Sequence, residues 1–202
     1  MSALPLFPLQ HVVFPGGVLQ LQIFEVRYLH LMRRCQQSGL PFGIVGLLEG
    51  REVRVPEATE VLTQAGSLAH LESLETPQPG LMRVSCRIGA RFRVQQAAVG
   101  QYGLWLGQVD AVADDPPTPV PPALQRCVQW LEQAIADSAA RGDAERWVRE
   151  PYAMSDAGWV ANRLAEALPI AVASKADLLL EEPVARLAWL DGWLDARGAW
   201  AS

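Results

Sequence analysis

The chain has 202 residues, half of them hydrophobic and 19% charged, with a net charge of −5. That length makes one large domain or two small ones, with enough chain to bury a core without disulfide staples. The composition excludes a mostly disordered chain, the negative charge disfavours nucleic-acid binding through the overall field, and no apolar run reaches the ~18 residues of a membrane helix.

The charge is uneven. Residues 1–115 carry nine Arg against ten acidic residues, and residues 116–202 carry eight basic against twelve acidic. Cys35, Cys86 and Cys127 are widely spaced and form no CxxC pair, which reads as buried thiols in a reducing cytoplasm. The first 24 residues carry no charged side chain. Pro5, Pro8, Pro15 and the absence of a basic start argue against an export signal there.

The chain opens on Leu4-Pro5-Leu6-Phe7-Pro8-Leu9, where the prolines predict an edge strand. After Val12-Val13-Phe14 and a Pro15-Gly16-Gly17 turn, Leu19, Leu21 and Ile23 alternate with Gln20 and Gln22, the pattern of a strand with one wet face. A helix follows over about 25–37, with Phe24, Tyr28, Leu31 and Cys35 on one face and Gly39 as its C-terminal stop. Phe42–Leu48 reads as a short buried strand, 49–58 as a polar loop, and 60–74 as a strand broken at Gly66. After the Thr76–Gly80 turn residues, Met82, Val84, Cys86 and Ile88 alternate with Arg83, Ser85 and Arg87, and a last strand covers about 102–112. Six or seven short strands and one helix predict a compact, barrel-like β fold.

Five prolines between Pro116 and Pro122 then separate two kinds of chain. Beyond them the pattern is helical and holds every tryptophan but Trp105. Leu124, Cys127, Val128, Leu131 and Ile135 share a helix stripe that begins near Pro122 and stops at Gly142. A second helix covers about 156–168. Ser174 and Asp177 predict a capping box ahead of Leu178, and Pro183 starts a last helix ending near Gly198. The expected organisation is α+β, a β-rich unit at 1–115 followed by a helical bundle at 116–202.

The order of motifs resembles a known family. Leu4-Pro5-Leu6-Phe7-Pro8-Leu9, Val12–Gly17 and Ile23-Phe24-Glu25-Val26-Arg27-Tyr28 are similar to the start of the Lon protease amino-terminal domain. Val61–Ala69 looks like a strand of that family, and Val84–Val94 with Gly89 and Arg91 like its central strand pair. Ala161–Ala165, Lys175–Leu180 and Arg186-Leu187 are similar to its helical part, so the resemblance runs over about 3–198. It implies a PUA-like β pseudo-barrel with one helix, a C-terminal helical bundle, and a cytoplasmic, bacterial-type module that binds unfolded polypeptide or a protein partner. The sequence departs from full-length Lon: it has no G-x-x-x-x-G-K-[ST] motif and no Ser–Lys dyad, since Ser174 and Lys175 are neighbours. The expectation is a stand-alone, non-catalytic form with no cofactor.

Few residues invite chemistry of another kind. His11, His30 and His70 show no metal-ligand spacing. His30 and Cys35, five apart on one helix, do not face each other as base and thiol. Glu25 and Arg27 open the first helix, where a structural role is expected. A polypeptide-binding module needs an exposed apolar groove or a free strand edge. Phe7, Phe14, Tyr102 and Trp105 are the candidates in the β half, and Trp147, Trp159 and Trp193 in the helical half. The alternative is an RNA- or anion-binding PUA-like module. No acidic residue occurs from Thr76 to Val109, while Arg83, Arg87, Arg91 and Arg93 fall there, with cross-strand pairing to Glu60, Glu72 or Glu75 as the plainer explanation.

Overall fold

The structure, a computed structural model, describes residues 3–52, 59–143 and 147–200. The expected loop at 49–58 falls mostly outside them. Among the described residues the β half holds six strands: β1 (Leu4–Leu9), β2 (Val18–Ile23), β3 (Phe42–Glu49), β4 (Val61–Gln78), β5 (Leu81–Val99) and β6 (Trp105–Ala111). Helix α1 (Val26–Ser38) lies between β2 and β3 and ends at Gly39 in a left-handed cap.

β1 runs parallel to β3, and β3, β4 and β5 follow as antiparallel neighbours. β6 pairs with both β5 and β1, which closes the sheet into a pseudo-barrel. β4 and β5 are 18 and 19 residues long, not the short strands expected. Their far halves leave the barrel as a hairpin arm, with β2 added alongside residues 82–87 of β5. The expected interruption at Thr76–Gly80 is the tip of this arm, where Gln78 faces Leu81.

Two other expectations change in the β half. β1 is not an edge strand despite its prolines. It pairs with β6 over Leu4–Leu6 and with β3 over Leu6–Leu9, so two short ladders share the strand and each tolerates a missing donor. β4 runs through Gly66 without a break, and the register shifts lie on either side of it. A Cβ at Gly66 would collide with the Ile44 carbonyl and the Phe92 ring, so this crossing of strands requires glycine.

The helical half contains α2 (Gln125–Arg141), α3 (Ala157–Ala167), α4 (Val172–Leu178) and α5 (Pro183–Asp195). Asp156 caps α3, accepting from the Trp159 N–H at 2.7 Å and also from the Thr118 N–H at 2.9 Å. The proline-rich segment is therefore stitched to the head of α3. The expected capping box does not form: α4 begins at Val172, which leaves Ser174 and Asp177 inside it. Phe24 is likewise off the α1 stripe. It precedes the helix and is exposed, whereas Tyr28, Leu31 and Cys35 are buried.

The two halves share a core. Val12, Phe14 and Ala65 pack into the cluster formed by α2 to α5, while α1 covers a second cluster against β2, β4 and β5. Buried charge joins them too. Asp115 pairs with Arg91 of β5 at 2.7 Å and with Arg186 of α5 at 2.9 Å. Arg91 also donates to the carbonyls of Leu179 (3.0 Å) and Ala113 (2.6 Å), and Arg186 to those of Leu178 (2.9 Å) and Glu181 (2.7 Å). Both guanidiniums thereby satisfy the open carbonyls at the end of α4.

Asp115→Ala leaves two buried guanidiniums without their carboxylate. Urea unfolding of that variant is expected to show a loss of about 3–5 kcal/mol. A second ion pair fixes α2 to α5: Arg126 grips both oxygens of Asp191 at 2.6 Å, and this bond holds the Asp191 carboxyl below its ordinary 3.8. A lowered carboxylate pKa contributes stability above the unfolded value and loses it as pH falls through the folded one. The melting temperatures of the wild type and Asp191→Asn should therefore differ at pH 7 and converge as pH drops below about 3.8.

Candidate functional site

A cavity of about 820 Å³ forms an open groove between the hairpin arm and the helical half. Its sheet wall follows from register. Gln20, Ser85 and Ser73 form one cross-strand row, and Gln22, Arg83 and Glu75 the next. These are the wet sides of alternating strands, and Leu19 and Ile23 point the other way into the core beneath α1. His11, Val12, Val13, Trp147, Glu166 and Lys175 line the rest. Arg149 straps the helical half to the arm, reaching Glu72 at 2.7 Å and Ser85 at 3.2 Å.

β2 stands at the end of the sheet, and among the described residues it pairs only with β5. At its head the Gly16 N–H donates to Ile88 and the Ile88 N–H to Gly17, both at 3.0 Å. Antiparallel alternation from that point turns the main-chain groups of Val18, Gln20 and Gln22 away from β5. No backbone or side-chain partner meets them among the described residues, and all three line the groove. A free strand edge thus runs along the cavity.

The turn that launches β2 is fixed from the helical side. Glu166 of α3 accepts from the Phe14 N–H at 2.8 Å and pairs with Arg163 at 3.0 Å. Arg163 donates in turn to the carbonyls of Phe14 (3.2 Å) and Pro15 (3.1 Å). A Cβ at Gly17 would lie 2.5 Å from the Glu166 carboxylate, so only glycine admits the clamp. Burial pushes the Glu166 carboxyl up against the pull of Arg163, and it pushes the Lys175 ammonium down.

The sequence-derived site residues do not gather here. Phe7 stacks on Tyr28 with ring centroids 4.0 Å apart, and Phe14 is wholly buried in the helical core, so neither offers a surface. Trp105 is partly buried, its indole N–H bonded to Glu60. Tyr102 alone of the four is fully displayed. Trp147 lines the groove, while Trp159 and Trp193 pack against the helical core. The arginines do not form a stripe either. Arg83 lies in the groove opposite Glu75, Arg87 is 3.9 Å from Glu72, and Arg93 faces Asp110 in register. Arg91 is the buried partner of Asp115, because the register shift beside Gly89 turns it inward. Among the described residues no three His, Cys, Asp or Glu side chains come together to hold a metal, and no helix is long and apolar enough to cross a membrane.

Sequence reasoning missed Glu166 and Lys175, and the free edge of β2. Arg163 and Glu166 are visible as an i, i+3 pair, but nothing local distinguishes them from an ordinary surface pair.

The family model for the substrate-binding domain of ATP-dependent protease La (LON) matches residues 3–188. The chain belongs to the LON substrate-binding domain family. The crystal structure of a Lon N-terminal domain protein from Xanthomonas campestris is similar at 30% identity and a TM-score of 0.75, covering 96% of this chain and 99% of that one. The N-terminal domain of the Mycobacterium avium complex Lon protease shares the fold at 17% identity and a TM-score of 0.60, over 96% and 98% of the two chains. No curated protein sequence matches. The LON chain accordingly has the PUA-like α+β fold expected, and its family is one of protein-binding, substrate-recognition modules.

The thiols of this LON domain are poor nucleophiles. All three are free and buried, and burial pushes Cys86 and Cys127 up to about 12. Iodoacetamide at pH 8 should leave the native protein unlabelled on the timescale that modifies all three thiols in urea, as read by mass spectrometry.

Proposed function

We infer that this LON domain captures polypeptide in extended conformation by pairing it with the free edge of β2, making and breaking no covalent bond. The observation that carries the reading is the run of unpartnered main-chain groups at Val18, Gln20 and Gln22 along an open groove of about 820 Å³. An added strand supplies a donor and an acceptor to each, the recognition mode of β-augmentation. Each such bond is worth only about 1 kcal/mol net, and association itself costs several. Edge pairing alone therefore gives weak, sequence-tolerant binding. Val18 and Trp147 offer apolar contact, and Arg83, Glu75 and Lys175 offer polar contact, for side chains of the added strand.

The halves 1–115 and 116–202 serve this reading as one unit, since the groove takes a wall from each. Three unpaired cysteines fit a reducing, cytoplasmic setting.

The test is fluorescence anisotropy of a labelled, permanently unfolded polypeptide titrated with the protein. Saturable binding that survives added salt is expected. A version of the same polypeptide N-methylated at alternate residues should bind at least about tenfold more weakly, because methylation removes the donors that an edge strand accepts. Gln20→Pro should have the same effect, since its N–H points away from β5 and the existing ladder survives. Equal binding by the methylated polypeptide overturns the edge-pairing mechanism. Binding only to a structured RNA, collapsing at high salt, overturns the polypeptide reading itself.

A further inference from the structure

A second cavity, about 490 Å³, lies between α1 and the 3₁₀ turn Gln101–Gly103. It shares no lining residue with the β2 groove. Its apolar wall is Leu31, Leu104 and Leu106, with Tyr102 beside them. Its polar wall holds two arginines: Arg27, His30 and Arg34 succeed one another along one face of α1, and Gln101 completes the lining. Between Val26 and Leu48, and again between Val94 and Val109, the chain has no acidic residue. In a protein of net charge −5, the lining of this cavity holds no carboxylate.

Arg27 is the inner cation. It is buried, donates from Nη1 to the Gly103 carbonyl at 2.7 Å, and pairs through Nη2 with Glu25 at 3.1 Å. Its Nε–H is buried with no acceptor. A buried donor left unpaired costs about 1–3 kcal/mol. Arg34 and His30 are exposed at the rim and make no ion pair or side-chain hydrogen bond among the described residues.

Tyr102 supplies an independent observation. Its backbone is left-handed, with φ 59° and ψ 15°, and it is the one non-glycine with positive φ among the described residues. For an L-residue this conformation costs about 1–2 kcal/mol. The side chain is 82% exposed and makes no hydrogen bond or ring contact among the described residues. A strained backbone that displays an unused aromatic ring beside a cavity is the signature of a contact residue.

The geometry points to this cavity as a binding site for the apolar carboxyl terminus of a polypeptide. A chain end carries its carboxylate on the same carbon as its last side chain. One residue therefore meets both walls: the carboxylate takes Arg34 at the rim, and the side chain fills the space between the three leucines and Tyr102. An internal Asp or Glu carries charge without the apolar group and would need a neighbour to supply it. The volume lies within the ~300–1,000 Å³ of small-ligand pockets, enough for a terminal residue but not for a folded surface. The assignment takes its partner class from the polypeptide-binding reading but uses a different surface.

The probe is a short N-terminally labelled peptide ending in leucine, measured by anisotropy as the free acid and as the C-terminal amide. The free acid should bind saturably, and the amide at least about tenfold more weakly. Arg34→Glu should cause a similar loss. Tyr102→Gly should weaken binding while raising the melting temperature, since glycine accepts the left-handed backbone. A purely structural tyrosine would instead lower it. Gln20→Pro should leave binding of this short peptide unchanged, so failure of the groove reading and failure of this one are told apart. Equal affinity for acid and amide, or insensitivity to Arg34→Glu, would each overturn the assignment.

Discussion

Two buried guanidiniums on one carboxylate hold this molecule together. Arg91 leaves the barrel, Arg186 leaves the last helix, and both close on Asp115 where the proline-rich segment begins. Burying a charge in a core is costly unless a counter-charge and hydrogen bonds compensate it. Each arginine therefore dictates where Asp115 must be, and the α4 carbonyls that take the remaining donors are dictated in turn. Hydrophobic contact between a barrel and a helix bundle is tolerant of sliding, but this network is not. It sets the angle at which the two halves meet, and the groove is the space that angle leaves.

The same logic operates between α3 and the start of β2. Arg163 and Glu166 reach out of the helix to the Phe14–Gly17 turn and determine where β2 begins. Among the described residues β2 then has a neighbour on one flank only. An unpaired edge is a hazard unless something shields it. Here the shield is partial: the arm and the helical half flank the edge and leave room between them. Such an edge is screened from a second folded sheet yet open to a single extended chain, and this difference gives the substrate-binding reading a physical form.

Much of the fold was legible along the chain. Gly39 and Gly142 stop helices where the apolar stripes end, and Pro183 starts one. The alternation in Val18–Ile23 and in Met82–Ile88 describes the two faces of the arm as they are. The errors share a cause. Pro5, Pro8 and Gly66 were read by what they do locally, whereas their tolerance depends on which strands lie beside them. Ser174 and Asp177 match a cap pattern that the helix start overrides. Among the site residues, Phe7 and Phe14 have the composition of a binding surface and the position of core, and Arg91 has the composition of a wet face and the position of a buried ion pair.

The sequence by itself determined the class of structure: which segments are strands and helices, that a β unit precedes a helical one, and that the whole belongs to the LON substrate-binding family. These follow from period and order, which are properties of neighbours along the chain. Only the tertiary structure decided which aromatics are displayed, which arginines are neutralised and which strand edge is free. Those outcomes depend on contacts between residues far apart in sequence, such as Phe14 with Glu166 and Arg91 with Asp115 and Leu179. A side chain's exposure is set by what arrives from elsewhere in the chain, and periodicity carries no information about that.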